Sequence, residues 1–172
     1  MRVLFTHPYF LALDPKQAKA ARPYPPLGTL YAAAAVRAAG HDVSFHDSFF
    51  SKGAASRVPP SALVVSAAGF NWLTKMCLSV MEAEALAMVR LAREAGATVV
   101  VSGSDATDHR RRFLEAGASF VLLGDGEPTL VELLAALAAG GEVSGITGLA
   151  RLEGGCQVPI AGHGRVDGRR FA

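Results

Sequence analysis

Three short runs, Ala62–Ser66, Thr98–Ser102 and Ser119–Leu123, are apolar almost from end to end, and each is followed by a stretch read as helix. A strand turns successive side chains to opposite faces, so a continuous apolar run is stable only when both faces are covered. Strands covered on both faces and alternating with helices describe a parallel sheet wound by helices on either side.

The remaining pattern completes that sheet. Arg2–Thr6 reads as the first strand, and Leu27–Ala39 as a helix stopped by Gly40. Asp42–His46 alternates, with Val43 and Phe45 on one face, and reads as the second strand. Asp47–Pro60 is rich in Ser, Gly and Pro and reads as loop. A long helix is expected within Asn71–Ala95, with an apolar stripe of Leu73, Met76, Cys77, Val80, Ala83, Ala87 and Leu91, closed by Gly96. Further helices are expected at Asp108–Ala116, stopped by Gly117, and at Pro128–Ala139, stopped by Gly140 and Gly141. The fold class is α/β: a Rossmann-like (flavodoxin-like) doubly wound parallel sheet of five strands in the order 2-1-3-4-5. After Gly148, Leu149–Leu152 and Gln157–Ile160 around Glu153-Gly154-Gly155 read as a β-hairpin extension. The domain is expected over 1–148 and the hairpin over 149–161, with a linker or tail over 162–172.

Composition narrows the function classes. At 172 residues, 51% of them apolar, the chain can bury one domain core. A formal net charge of +2 indicates neither a nucleic-acid surface nor an acidic tail. Its densest basic cluster, Arg110-Arg111-Arg112, falls in an expected helix and reads as a solvated face. No run approaches the roughly 18 apolar residues of a membrane span, and the first residues form a strand rather than a signal peptide. Cys77 and Cys156 make neither a disulfide framework nor a metal site. A cytoplasmic protein without nucleic-acid or membrane partners is expected.

In open α/β sheets, ligands lie outside the carboxyl ends of the strands. Four segments converge there. The first is His7–Gly28, long for a strand-to-helix loop, ending in Tyr24-Pro25-Pro26-Leu27-Gly28. Pro26 suits a helix start, and Gly28 lets something bulky lie against it. The others are Gly69-Phe70-Asn71-Trp72, Gly103-Ser104-Asp105 with Thr107, and Gly124-Asp125-Gly126-Glu127 with Thr129. These residues are the candidate cofactor-binding set. Taken singly, Asp105, Thr107, Asp108 and Glu127 suit helix N-caps, Phe70 and Trp72 the core, and Met76, Met81 and Met88 packing.

Standard motifs are absent. Gly124-x-Gly126 follows the fifth strand and lacks a third glycine, so it is no dinucleotide fingerprint, and no phosphate loop occurs. No nucleophile has an evident His partner. His7, His41, His46, His109 and His163 lack metal-ligand spacing and read as surface or capping residues.

The ordered set Pro25-Pro26-Leu27-Gly28, Gly40-His41-Asp42-Val43, Gly103-Ser104-Asp105-Ala106-Thr107, Gly117-Ala118 and Gly124-Asp125-Gly126-Glu127, with Thr129-Leu130 and Glu132-Leu133, resembles the N-terminal cobalamin-binding domain of B12-dependent radical SAM enzymes. Phe70-Asn71-Trp72-Leu73-Thr74-Lys75-Met76-Cys77-Leu78 is similar to one branch of that family. The likeness runs from about Met1 to Ala150. It implies cobalamin over the carboxyl ends of the strands. The Asp-x-His-x-x-Gly motif that supplies a histidine to cobalt is missing, since Asp105 and His109 are four apart and follow the wrong strand. The resemblance therefore implies base-off cobalamin with no protein histidine ligand.

Two departures from the family pattern matter. Gly103-Ser104-Asp105 stands where many relatives carry Gly-Gly-Pro-His. No Cys-x-x-x-Cys-x-x-Cys is present to hold an iron–sulfur cluster, so SAM and a 4Fe–4S cluster would belong to a radical SAM core supplied in cis or in trans. The chain alone is expected to bind cobalamin without catalytic turnover; methyl transfer or radical rearrangement would belong to the full-length enzyme. The alternatives are a non-enzymatic flavodoxin-like signalling or interaction module and a flavin- or nucleotide-binding domain. A phospho-receiver would need acidic residues after the first strand and a lysine after the fifth, where Thr6-His7-Pro8 and Gly124-Asp125-Gly126 stand instead.

Overall fold

A computed structural model describes residues 1–20, 22, 25–51, 63–67, 78–124, 126–153 and 156–160. Its strands are β1 (Arg2–Thr6), β2 (Asp42–His46), β3 (Leu63–Ala67), β4 (Val99–Ser102), β5 (Phe120–Leu122), β6 (Leu149–Glu153) and β7 (Cys156–Ile160). Its helices are α1 (Pro15–Ala18), α2 (Leu27–Ala38), α3 (Leu78–Glu94), α4 (Ser104–Asp108), α5 (Arg110–Glu115) and α6 (Glu127–Ala138), with short 3-10 turns at Leu11–Leu13 and Ser48–Phe50. The fold is α/β and Rossmann-like.

One sheet runs β2-β1-β3-β4-β5-β6-β7. The first five strands are parallel, in registers such as Val3 with Leu63 and Val100 with Phe120. β6 pairs antiparallel with β5, placing Leu149 opposite Leu122, and β7 pairs antiparallel with β6. The β6–β7 hairpin continues the five parallel strands from the edge of β5, so the sheet has seven strands.

Side-chain alternation divides the core between the two faces. Val3, Phe5, Val100, Phe120 and Leu122 pack with Val36 of α2 and Leu130, Leu133 and Leu134 of α6. Val99, Val101 and Val121 pack on the other face with Ala85, Val89 and Ala92 of α3 and with Phe113 and Leu114 of α5. Val99, Val100 and Val101 are each fully buried, which is why β4 tolerates no polar alternation. Each such side chain contributes about 1.5–3 kcal/mol relative to leaving it in water.

Three local expectations are corrected. The buried stripe of α3 is Met81, Ala85, Leu86, Met88, Val89 and Ala92, whereas the expected Val80 and Leu91 are 42% and 40% exposed and the expected Leu73, Met76 and Cys77 lie outside the described residues. Apolar residues surround much of this helix, and the small Ala85 and Ala92 let it lie close against the sheet. The expected helix at Asp108–Ala116 is α5, and a separate helix, α4, precedes it in the segment read as loop, the two meeting at His109 (φ −107°, ψ 25°). α4 begins at Ser104 because Gly103, at φ 116°, turns the chain from strand to helix within one residue. The loop after β1 is not open. Tyr9 and Phe10 form a third buried cluster with Phe49 and with Met81 and Met88 of α3. Part of that loop's length thus serves packing. Asp14 caps α1 by accepting from the Lys16 and Gln17 amides, and its other oxygen accepts from the Tyr9 hydroxyl at 3.2 Å.

Candidate functional site

The carboxyl ends of β1, β2, β4 and β5 share one edge of the sheet. At the end of β1, Thr6 Oγ1 lies 3.0 Å from Ser48 Oγ, and His7 Nε2 lies 2.9 Å from Asp47 Oδ1. Asp47 Oδ1 also accepts from the Phe49 amide, fixing the 3-10 turn after β2. His7 Nδ1 accepts from the Tyr9 amide, and the ring stacks on Phe45 at 6.0 Å between centroids. Burial pushes the His7 pKa below its ordinary value, opposed by the hydrogen bond and charge of Asp47. His7 is thus a buried organiser of the β1–β2 edge and not the surface or capping residue expected. Its place immediately after β1 was the one available signal.

At the end of β4, the Thr107 hydroxyl donates to Gly103 O at 3.0 Å, and Leu122 O lies 3.5 Å away. Thr107 therefore ties the start of α4 to β5. His109 Nδ1 lies 3.0 Å from Asp105 Oδ1. Ser104 is exposed and Asp105 partly buried.

At the end of β5, Leu123 N donates to Gly148 O at 2.7 Å. Thr129 of α6 donates to Thr147 O at 3.3 Å, and a Cβ on Gly148 would stand 3.2 Å from Thr129 Oγ1. These contacts hold the 147–148 turn against α6. A Cβ on Gly126 would meet Leu122 Cδ1 at 3.0 Å, so a side chain there would press on Leu122 of β5. Gly124 differs: it has φ 78°, is exposed, and has nothing within 4 Å of a built Cβ. Glu127 is the first residue of α6.

At the start of α2, Pro26 is buried and Leu27 is 58% exposed. A Cβ on Gly28 would meet nothing within 4 Å. Pro26, Leu27 and Gly28 thus lie at one helix start, while Gly103, Ser104, Asp105 and Thr107 form a second group and Gly124, Gly126, Glu127 and Thr129 a third. Tyr24, Gly69, Phe70, Asn71, Trp72 and Asp125 lie outside the described residues.

None of Asp105, Thr107, Asp108 or Glu127 occupies an N-cap position. The N-caps of α2, α4 and α6 are Pro26, Gly103 and Gly126, and none of the three makes a side-chain cap. A helix start leaves backbone N–H groups without an intrahelical partner. Three such starts therefore face the carboxyl edge with donors that no capping side chain satisfies.

A family model described as the B12 binding domain matches residues 17–134. The chain belongs to the B12-binding domain family. No curated protein sequence matches it. Among solved structures, it is similar to the radical S-adenosylmethionine methyltransferase TsrM from Kitasatospora setae with cobalamin and a 4Fe–4S cluster bound. The TM-score is 0.65 at 23% identity, over 92% of this chain and 28% of that one. TsrM with its tryptophan substrate and a SAM analogue bound gives 0.64 at 22% identity, over 92% and 29%. The cobalamin-dependent S-adenosylmethionine radical enzyme OxsB, with aqua-cobalamin and S-adenosylmethionine bound, gives 0.63 at 14% identity, over 92% and 22%. The chain spans less than a third of the length of these proteins, and the likeness is one of fold. Among the described residues, no helix is long and apolar enough to cross a membrane.

Proposed function

We propose that this B12-binding domain holds cobalamin across the carboxyl edge of its sheet and serves a radical SAM enzyme. The observation that carries the reading is the set of uncapped helix starts at that edge. α2 and α6 are each 12 residues long, and their uncapped starts and positive dipole ends suit a ligand carrying phosphate and amide oxygens. The residues fit a large flat ligand on a second count. Gly28 and Gly124 both leave open space where a side chain would otherwise project.

Within this reading, Leu27 and Gly28 offer an apolar, side-chain-poor surface, and Gly103, Ser104 and Thr107 present backbone and hydroxyl groups beside it. Gly124, Gly126, Glu127 and Thr129 shape the far wall, and Tyr24, Gly69, Phe70, Asn71, Trp72, Asp105 and Asp125 are proposed as further cobalamin-binding residues. Cobalamin supplies cobalt chemistry, either methyl transfer or assistance to radical reactions. The protein binds it, orients it and limits water. His7 is committed to Asp47 and Tyr9, which agrees with a base-off cobalamin lacking a protein histidine on cobalt. SAM and a 4Fe–4S cluster would sit in a separate core, in cis or in trans, so the chain alone binds without turnover.

Titration of the purified protein with hydroxocobalamin tests the proposal. The expected result is a shift in the visible spectrum saturating near one equivalent, with the cofactor retained through desalting. An unchanged spectrum with no cobalamin retained overturns it, as does preferential retention of a flavin in the same assay.

A further inference from the structure

We propose that Glu82, Asp105 and His109 form a site for a first-row divalent cation such as Zn²⁺ where α3, α4 and α5 meet. The three residues come from different parts of the chain: Glu82 from the second turn of α3, Asp105 from α4, and His109 from the junction of α4 and α5. One donor atom from each lies within 4.8 Å of the other two. His109 Nδ1 is 3.0 Å from Asp105 Oδ1 and 3.9 Å from Glu82 Oε1. Two metal bonds of about 2.1 Å at octahedral or tetrahedral angles put their donor atoms about 3.0–3.4 Å apart. The Asp105–His109 spacing already meets that geometry, and the Glu82 arm needs only a small inward movement.

The second observation is the state of Glu82. Its side chain is 10% exposed, and Oε1 is buried without a hydrogen bond. The Arg112 guanidinium stands 2.5 Å from Oε1 as an ion pair. A buried carboxylate oxygen without a hydrogen-bond donor demands a cation. Arg112 supplies that charge from outside: its side chain is 57% exposed, so it can swing into water and leave the position to a metal ion. Two carboxylates and one imidazole suit borderline cations, and three protein ligands leave coordination positions open.

The carboxylates also hold the histidine in place. Asp105 lies one helical turn before His109, and the break at His109 (φ −107°) turns the ring away from a continuous helix path. The site is built by α3, α4 and their junction to α5. Its three donor atoms are all protein groups, and its test, made without cobalamin, does not depend on the proposed cofactor.

Calorimetric titration with ZnCl₂ of the cobalamin-free protein tests the site. The expected result is one Zn²⁺ per chain, bound about tenfold or more weakly by Glu82→Gln and by His109→Ala. Arg112→Gln, which removes the competing charge, is expected to bind Zn²⁺ more tightly than the unaltered protein. Thermal midpoints of all three variants, read without metal, verify that each is folded. The proposal is overturned by any of three results: no stoichiometric binding in the unaltered protein, equal affinity in folded Glu82→Gln and His109→Ala, or no gain in Arg112→Gln.

Discussion

His7 Nε2 lies 2.9 Å from Asp47 Oδ1 while His7 Nδ1 accepts from the Tyr9 amide at 3.3 Å. An amide N–H can only donate, so Nδ1 carries the lone pair and Nε2 the proton that bonds to Asp47. The ring is thereby held neutral in one tautomer at the end of β1, with both nitrogens turned to the protein.

That arrangement makes folding sensitive to acid. Burial holds the His7 pKa below its ordinary 6.5, so below that pH the unfolded chain takes up a proton that the folded chain refuses. Stability from this group is fully present above about pH 6.5 and is lost as the pH falls toward the lowered value. Denaturant unfolding at a series of pH values should show this decline, and His7→Gln, which does not titrate, should flatten it. An unchanged slope in the variant would assign the acid sensitivity elsewhere.

Gly28 separates folding from binding. It lies in the first turn of α2 with open space where a Cβ would project. Gly28→Ala should stabilise the helix by up to about 1 kcal/mol. The added methyl group should also weaken cobalamin binding, because it stands where the ligand is proposed to lie. Opposite movement of thermal midpoint and cobalamin affinity is the expected result. A variant that is both more stable and equally tight would place the ligand elsewhere.

The Thr107 hydroxyl closes the turn between β4 and α4 through Gly103 O, at 3.0 Å. Thr107→Val keeps the volume and β-branching but loses this bond, at a cost of about 1 kcal/mol. For a chain of this size that corresponds to a thermal midpoint about 2–4 °C lower. An unchanged midpoint would show that Gly103 alone sets the turn.

The ligation state of cobalt is also testable. With His7 bonded to Asp47 and Tyr9, Co(II) cobalamin in this protein should give an EPR spectrum without nitrogen superhyperfine splitting from an axial ligand. Splitting that persists would show a nitrogen on cobalt, and its loss in His7→Gln would identify the ligand.

Much of the architecture was legible because burial on both faces leaves a mark in composition: Val99, Val100 and Val101 have no polar neighbour to alternate with. The phase of α3 was not legible. Apolar residues lie on several sides of it, and only packing against the sheet selects Ala85 and Ala92 over Val80 and Leu91. The start of α4 was obscured because Ser104, Asp105 and Thr107 look like loop residues, although Gly103 had already turned the chain. The glycines near the strand ends marked the edge correctly in position but not in role: Gly126 answers to Leu122, while Gly124 and Gly28 face open space. His7 with Asp47, and Glu82 with Asp105 and His109, meet only through the fold. The first pair is 40 residues apart, so no local spacing could announce it.

The central claim, that cobalamin lies across the carboxyl edge, is tested most directly by amide hydrogen exchange with and without hydroxocobalamin. Protection should appear at the start of α2 around Gly28, through 103–107, and from Gly124 to Thr129. The opposite edge, where Gly40, Gly96, Gly117 and Gly140 follow the helix ends, should exchange at the same rate in both states. Protection confined to that opposite edge, or none at any of these segments under saturating cobalamin, would contradict the account.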